Sequence, residues 1–238
     1  MKASFVLALA GAALTSAAPT FSPIDSFNIR ELEGTNLSPE EHALSKRQFT
    51  GDTYNQLIDG TACRAVTVIY ARGTNSDGNV GASTAVGPVF FNNLASQLNG
   101  TSNLAIQGVT YSASIAGFLA GGDAAGSTTM ANLISTAVTQ CPSTKIVLSG
   151  YSQGAQLVHN AALKITAANA AKITAVLVFG DPKNGTAFGS ITASKTKVIC
   201  HSGDNICEGG IIVTAAHLNY QNDAPAAATF VAGKVGTV

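Results

Sequence analysis

Lys145-Ile-Val-Leu-Ser-Gly-Tyr-Ser-Gln-Gly-Ala-Gln-Leu-Val-His-Asn-Ala-Ala-Leu163 reads in three pieces. Lys145 to Leu148 is a short β-branched, apolar run of the kind that forms a buried strand. Gly150-Tyr-Ser-Gln-Gly154 matches Gly-x-Ser-x-Gly, in which a serine occupies a sharp turn and the glycines permit close backbone approach. Ala155 to Leu163 is rich in Ala and Leu and reads as helix. A glycine-rich loop can produce the same five letters, but strand before and helix after single out a nucleophile turn. The helix would aim its partly positive N-terminus at the oxygen of Ser152.

Working outward, similar apolar runs recur at Ala65 to Tyr70, Leu104 to Val109, Ala175 to Phe179 and Lys197 to Ile199. Between them Gly87 to Leu98, Thr128 to Gln140 and Gly154 to Ala168 fit helices. Strands that are apolar throughout, alternating with helices, predict a parallel sheet covered on both faces. Ligand sites in such sheets lie beyond the carboxyl ends of the strands, and each candidate residue below follows a strand. Gly121 to Thr128 is glycine-rich but lacks the lysine of a phosphate loop.

The chain's start is different in kind. Lys2, the apolar stretch Phe5 to Leu14 and Ala17-Ala18-Pro19 form the three parts of a secretory signal peptide over residues 1–18, too short to span a bilayer. Residues 19–47 are rich in Pro, Ser and acidic side chains, poor core material, and end at Lys46-Arg47, so they read as a pro-segment. That leaves residues 48–238 as a single domain and sets His42 aside.

Removing the first 47 residues takes away four of 13 Lys+Arg and five of 13 Asp+Glu, leaving nine against eight. A near-neutral body with 11% charged residues offers no electrostatic footing for nucleic acid or an anionic membrane, and a monomer is expected. Cys63, Cys141, Cys200 and Cys207 predict an oxidised framework in a secreted chain. Three pairings are open. The short Cys200-to-Cys207 spacing suits a local clamp, leaving Cys63 with Cys141, and the spacings do not match a structural zinc site.

A serine hydroxyl needs a base, and a base needs an acid to fix its tautomer. His217 comes late in the chain, as Ser, Asp, His order requires. His159, seven residues beyond Ser152 on the same helix, lies about 10 Å along the axis and reads as a surface or supporting residue. His201, beside Cys200, reads as a loop-shaping residue. Two aspartates compete for the acid: Asp181 directly after a strand, and Asp204 inside the Cys200-to-Cys207 loop. The N–H of Gln153 is one candidate oxyanion donor, and Thr74, in the turn after the first strand, is the other through its N–H and hydroxyl.

Tyr70-Ala-Arg-Gly-Thr74 with Gly81, Cys141-Pro ahead of Gly150 to Gly154, and Cys200-His-Ser-Gly-Asp-Asn-Ile-Cys207 followed by His217-Leu-x-Tyr220 together resemble the cutinase family of secreted fungal esterases. The resemblance spans nearly all of residues 48–238. It implies an α/β-hydrolase-type three-layer sandwich with a five-stranded, mainly parallel sheet, no lid domain and no cofactor. It implies Ser152, Asp204 and His217 as the triad, with Thr74 and Gln153 at the oxyanion hole and disulfides Cys63–Cys141 and Cys200–Cys207. Three positions depart from the family's familiar pattern: Thr74 for a serine, Ala216 for a proline, and Phe118 for an asparagine that would support the oxyanion loop.

Ser112 to Ser127 is the one candidate flap, and its Gly and Ala content suggests a mobile rim. Ile115, Phe118 and Leu119 are expected to face Ile211, Val213 and Leu218 across a shallow apolar crevice over Ser152. The expected ester substrates are cutin-like aliphatic polyesters and short-to-medium acyl esters. An acetylxylan esterase, or an inactive surface or effector protein on the same fold, is the alternative. Asn99-Gly-Thr and Asn184-Gly-Thr are glycan acceptor sequences.

Overall fold

The computed structural model describes residues 49–238. The signal-peptide and pro-segment readings fall outside the described residues. Five strands, β1 Val66–Ala71, β2 Leu104–Gly108, β3 Lys145–Tyr151, β4 Ile173–Phe179 and β5 Thr196–Ile199, form one sheet in the order β2-β1-β3-β4-β5. Every pairing is parallel. Among the described residues six α-helices accompany it: α1 Val86–Gln97, α2 Ile115–Leu119, α3 Ala124–Gln140, α4 Gln153–Lys164, α5 Ala167–Lys172 and α6 Ala224–Val235.

All six residues of β1 are buried, because successive side chains enter opposite cores. Val66, Val68 and Tyr70 pack with Phe90, Phe91 and Leu94 of α1 and Val231 of α6. Ile69 and Ala71 pack with Met130 and Ile134 of α3 and Leu157 and Val158 of α4. The result is the expected three-layer arrangement.

Both disulfides have formed. Cys63–Cys141 ties the chain ahead of β1 to the end of α3 across 78 residues, a closure worth about 4 kcal/mol of unfolded-chain entropy. Cys200–Cys207 closes only seven residues, worth about half as much. The long link serves the fold, and the short one shapes a loop.

The helix reading needs correction in three places. Gly154 to Ala168 is not one helix: Ile165 is extended, and Thr166 caps α5 by accepting the N–H of Asn169 at 3.2 Å. The C-terminal helix α6 was not anticipated, although Pro225 in its first turn and Gly236 at its end, with φ 75°, are ordinary start and stop signals. The expected flap contains α2, capped by Ser114 Oγ accepting from Gly117 N–H, and Asp123 caps α3 in the same way.

The chain runs from β1 outward to β2 and then returns to place β3 on β1's other side. Crevices open at such a switch point, beyond the carboxyl ends of the strands. The loops that leave β1 and β3 carry Thr74 and Ser152.

Candidate active site

Ser152 is held at φ 56° and ψ −122°, a left-handed backbone that a residue with a side chain adopts only under constraint. The constraint comes from both sides: its N–H donates to Phe179 C=O at 2.9 Å, and α4 begins at the next residue. The flanking glycines are required by contact. A Cβ on Gly154 would lie 2.0 Å from the Ala71 carbonyl oxygen, and one on Gly150 would lie 2.5 Å from the Gly154 carbonyl.

His217 Nε2 lies 3.0 Å from Ser152 Oγ, and its Nδ1 lies 2.8 Å from Asp204 Oδ2. All three residues are at least nine-tenths buried. Gly180 makes room for the imidazole, since a Cβ there would sit 2.8 Å from His217 Cε1. Tyr151 stacks against the ring at 5.2 Å and donates to the His217 carbonyl at 2.7 Å. Burial pushes the Tyr151 phenol up to about 12, with the charge of Asp204 adding to it, so it remains a donor.

Asp204 also accepts the Tyr220 hydroxyl on Oδ2 at 2.6 Å and the Ile206 N–H on Oδ1 at 3.0 Å. Burial pushes its pKa up, but the bonds from Tyr220 and His217 outweigh this and hold it below the usual 3.8. The carboxylate therefore stays ionised at neutral pH.

Asp181 is engaged elsewhere. Its Oδ2 pairs with His159 Nε2 at 2.8 Å and its Oδ1 accepts the Lys183 N–H at 2.9 Å. His159 is not a surface residue: it is 2% exposed and stacks on Phe188 at 3.9 Å. The two aspartates thus have one histidine each. Asp204 faces the serine's histidine, and Asp181 faces a packed one.

Gln153 opens α4, so its backbone N–H has no partner within the helix. Its side chain donates from Nε2 to Thr74 Oγ1 at 2.8 Å and to Ser114 C=O at 2.9 Å. Because Thr74 Oγ1 accepts that bond, its own hydrogen is free to point at a substrate oxygen. Arg72 braces the loop from behind, donating to Ser76 C=O at 2.8 Å and Tyr111 C=O at 2.9 Å, while the Tyr111 hydroxyl donates to Arg72 C=O at 2.6 Å. Phe118 therefore does not leave the loop slack; Gln153 supplies the support expected from an asparagine there.

A crevice of about 510 Å³ lies over Ser152 and His217. Ile115, Phe118, Ile211, Val213 and Leu218 line it, as do Thr74 and Leu119. Ile115, Leu119, Ile211, Val213 and Leu218 are between 56% and 67% exposed, so no lid covers it among the described residues. The Ser112 to Ser127 segment is not loose: Gln153, Gln156 and Asn160 of α4 donate to the carbonyls of Ser114, Phe118 and Gly121. Among the described residues no cluster of three His, Cys, Asp or Glu could hold a metal ion, and no helix is long and apolar enough to cross a membrane.

The family model described as Cutinase matches residues 62–235. The chain belongs to the cutinase family. It is 50% identical over 180 residues to the cutinase of Monilinia fructicola, covering 76% of this chain and 88% of that one. The Trichoderma reesei cutinase, solved in complex with a C11Y4 phosphonate inhibitor, superposes with TM-score 0.72 and 45% identity, covering 83% of this chain and 86% of that one. An acetylxylan esterase structure superposes with TM-score 0.59 at 23% identity, covering 74% and 100%, a likeness that extends to the fold alone. As a cutinase-family member the protein is a serine esterase.

Sequence reasoning missed three supports of this candidate site. Tyr220 was visible in the His217-Leu-x-Tyr220 spacing but had no role until its hydroxyl was seen on Asp204. Gly180, beside the competing Asp181, gave no sign that it clears space for His217. Gln153 was noted for its backbone, while its side chain proves to bridge Ser114, at the start of α2, and Thr74.

Proposed function

We propose that the protein hydrolyses carboxylic esters through an acyl-enzyme on Ser152, with His217 as base, Asp204 as acid, and Gln153 and Thr74 as oxyanion donors. The observation that carries this reading is the unbroken chain Ser152 Oγ, His217, Asp204 at the floor of an open, apolar crevice. Ser152 Oγ attacks the ester carbonyl while its proton passes to His217 Nε2. Asp204 stabilises the imidazolium, and the negative oxygen turns toward the Gln153 N–H and the N–H and hydroxyl of Thr74. His217 then gives the proton to the leaving alkoxide, the C–O bond breaks, and an acyl-serine remains. Water, deprotonated by His217, attacks the acyl carbon by the same route in reverse and releases the acid.

The substrates are cutin-like aliphatic polyesters and short-to-medium acyl esters. An apolar, uncovered crevice suits a methylene chain that continues beyond the enzyme, and offers little to the hydroxyls of a sugar. The family and the named relatives support the same substrate class. The protein is secreted after loss of residues 1–18 and 19–47 and acts as a monomer; its two disulfides, which persist in oxidising compartments, support the secreted location.

Parallel rates on p-nitrophenyl acetate, butyrate and palmitate, on acetylxylan and on a cutin suspension test the assignment. Butyrate ahead of palmitate together with monomer release from cutin is expected. Turnover of acetylxylan with none of cutin would overturn the substrate class.

A further inference from the structure

His201 lies outside the proposed triad, yet each of its ring nitrogens faces an acceptor. Nδ1 is 2.8 Å from the Ala216 carbonyl, and Nε2 is 2.7 Å from Asp223 Oδ2. A neutral imidazole has one N–H, so one of these contacts would set a lone pair against an oxygen; the imidazolium satisfies both. The residue is also wired to both ends of the catalytic pair. Its ring stacks on Tyr220 at 4.1 Å, and its backbone N–H donates to the Tyr220 oxygen at 2.9 Å, which turns the Tyr220 hydrogen toward Asp204. Ala216, the other partner, immediately precedes His217.

We infer that His201 is a positioning residue for the hydrolysis, a cationic clamp that ties the turn carrying His217 to the disulfide loop carrying Asp204. His217 is thereby held at both neighbouring carbonyls, Ala216 by His201 and its own by Tyr151. The inference rests on the triad proposed above. It adds an opposing requirement to it: the base must be neutral while the clamp is charged.

The groups acting on the His201 ring are Asp223 ahead of α6, the Ala216 carbonyl and the Asn219 side chain, with Tyr220 beneath it and Asp204 behind Tyr220; the Cys200–Cys207 disulfide does not titrate. Partial burial pushes the ring's pKa down, but the bonds to Ala216 and Asp223 and the Asp223 charge outweigh it and hold it above the usual 6.5. The ring therefore holds its second proton to a higher pH than a free imidazole does, and yields it as pH rises through that raised value. It then loses one of its two bonds, and the turn bearing His217 slackens.

The test is a pH profile of kcat and KM on a short-chain ester for the parent, His201→Phe and Asp223→Asn. The parent's kcat should fall partway toward alkaline pH, as His201 gives up its second proton. His201→Phe keeps a ring on Tyr220 but no donor, so kcat should drop about tenfold at neutral pH, with KM within about twofold and no alkaline fall. Asp223→Asn should do the opposite: its amide can donate to a neutral Nε2 while Nδ1–H keeps Ala216, so kcat stays near the parent's and the alkaline fall disappears. A parent profile without the fall, or a fall that persists in either variant, would overturn the clamp. If His201→Phe does not fold, Asp223→Asn decides alone. Ser152→Ala, run alongside, separates the two proposals: residual activity there sinks the triad, whereas an inactive Ser152→Ala with an unaltered profile in the other variants sinks only the clamp.

Discussion

Asp204→Asn and Asp181→Asn make a matched pair, because both aspartates are fully buried and each holds a histidine at 2.8 Å. Three donors converge on Asp204: His217 Nδ1, the Tyr220 hydroxyl and the Ile206 N–H. An asparagine offers one acceptor oxygen, so its amide must confront at least one of them. The Ile206 N–H is fixed in the backbone, whereas His217 can move its proton from Nδ1 to Nε2. The imidazole then presents N–H to Ser152 and ceases to be a base. A misplaced tautomer of this kind lowers kcat by roughly 10⁴, about 5 kcal/mol of transition-state stabilisation. Asp181→Asn disturbs the packed His159 and the Lys183 N–H, neither of which touches Ser152 or His217, so kcat should stay within about threefold. Both variants lose a buried, charged hydrogen bond worth about 1.5–3 kcal/mol, so each should melt several degrees lower, at roughly 2–4 °C per kcal/mol for a domain of this size. The equal loss of stability is what makes the comparison informative. Steady-state kcat on p-nitrophenyl butyrate and calorimetric melting would be measured for both. An Asp181→Asn enzyme slower than Asp204→Asn would refute the division of roles between the two pairs.

Selective reduction of Cys200–Cys207 should lower kcat with little change in KM, since the loop holding Asp204 would slacken; unchanged kinetics with the bond shown open by thiol labelling would contradict this. Rates on tributyrin should follow a hyperbola through its solubility limit, because no lid covers the crevice among the described residues, and a jump at that limit would contradict the open site. Ile211→Ser should raise KM for butyrate more than for acetate, since each methylene withdrawn from water is worth about 0.8 kcal/mol; equal effects on the two would remove Ile211 from the acyl path. Stability should also respond to pH from both sides. Asp204, with its folded pKa lowered, contributes fully above about the usual 3.8 and loses that contribution as pH falls through the lowered value. His201, with its folded pKa raised, contributes fully below the usual 6.5 and loses that contribution as pH rises through the raised value. Melting temperature against pH for the parent and His201→Phe checks the second limb, which should be absent from the variant.

The strands and the serine turn were legible because their signals are local. Lys145 to Gly154 carries the strand, the strained turn and the close-approach glycines within ten residues, and buried parallel strands show as unbroken apolar runs. The histidine followed from chain order. The choice between Asp204 and Asp181 did not follow from spacing, because both come after strands of the sheet, and only the third dimension shows that Asp181 already has His159. The resemblance favoured Asp204 without giving that reason. Helix ends were harder to read. Thr166 splits one amphipathic stretch into α4 and α5, and Ser114 nucleates a five-residue helix inside a stretch whose Gly and Ala content suggested mobility. Tyr220 and His201 were illegible as a network, since their partners lie 15 to 22 residues away in sequence and meet only when the disulfide loop folds over the turn bearing His217.

The proposed nucleophile is open to direct chemical reading. A p-nitrophenyl alkylphosphonate places a tetrahedral, electrophilic phosphorus where the ester carbon would sit, and an activated serine displaces p-nitrophenolate to leave a stable phosphonyl-serine. Incubation of the enzyme with this reagent, followed by peptide mapping by mass spectrometry, should find one adduct per chain, on Ser152, formed in step with loss of esterase activity and absent from Ser152→Ala. An adduct on another residue, or full inactivation with Ser152 unmodified, would contradict the proposed mechanism.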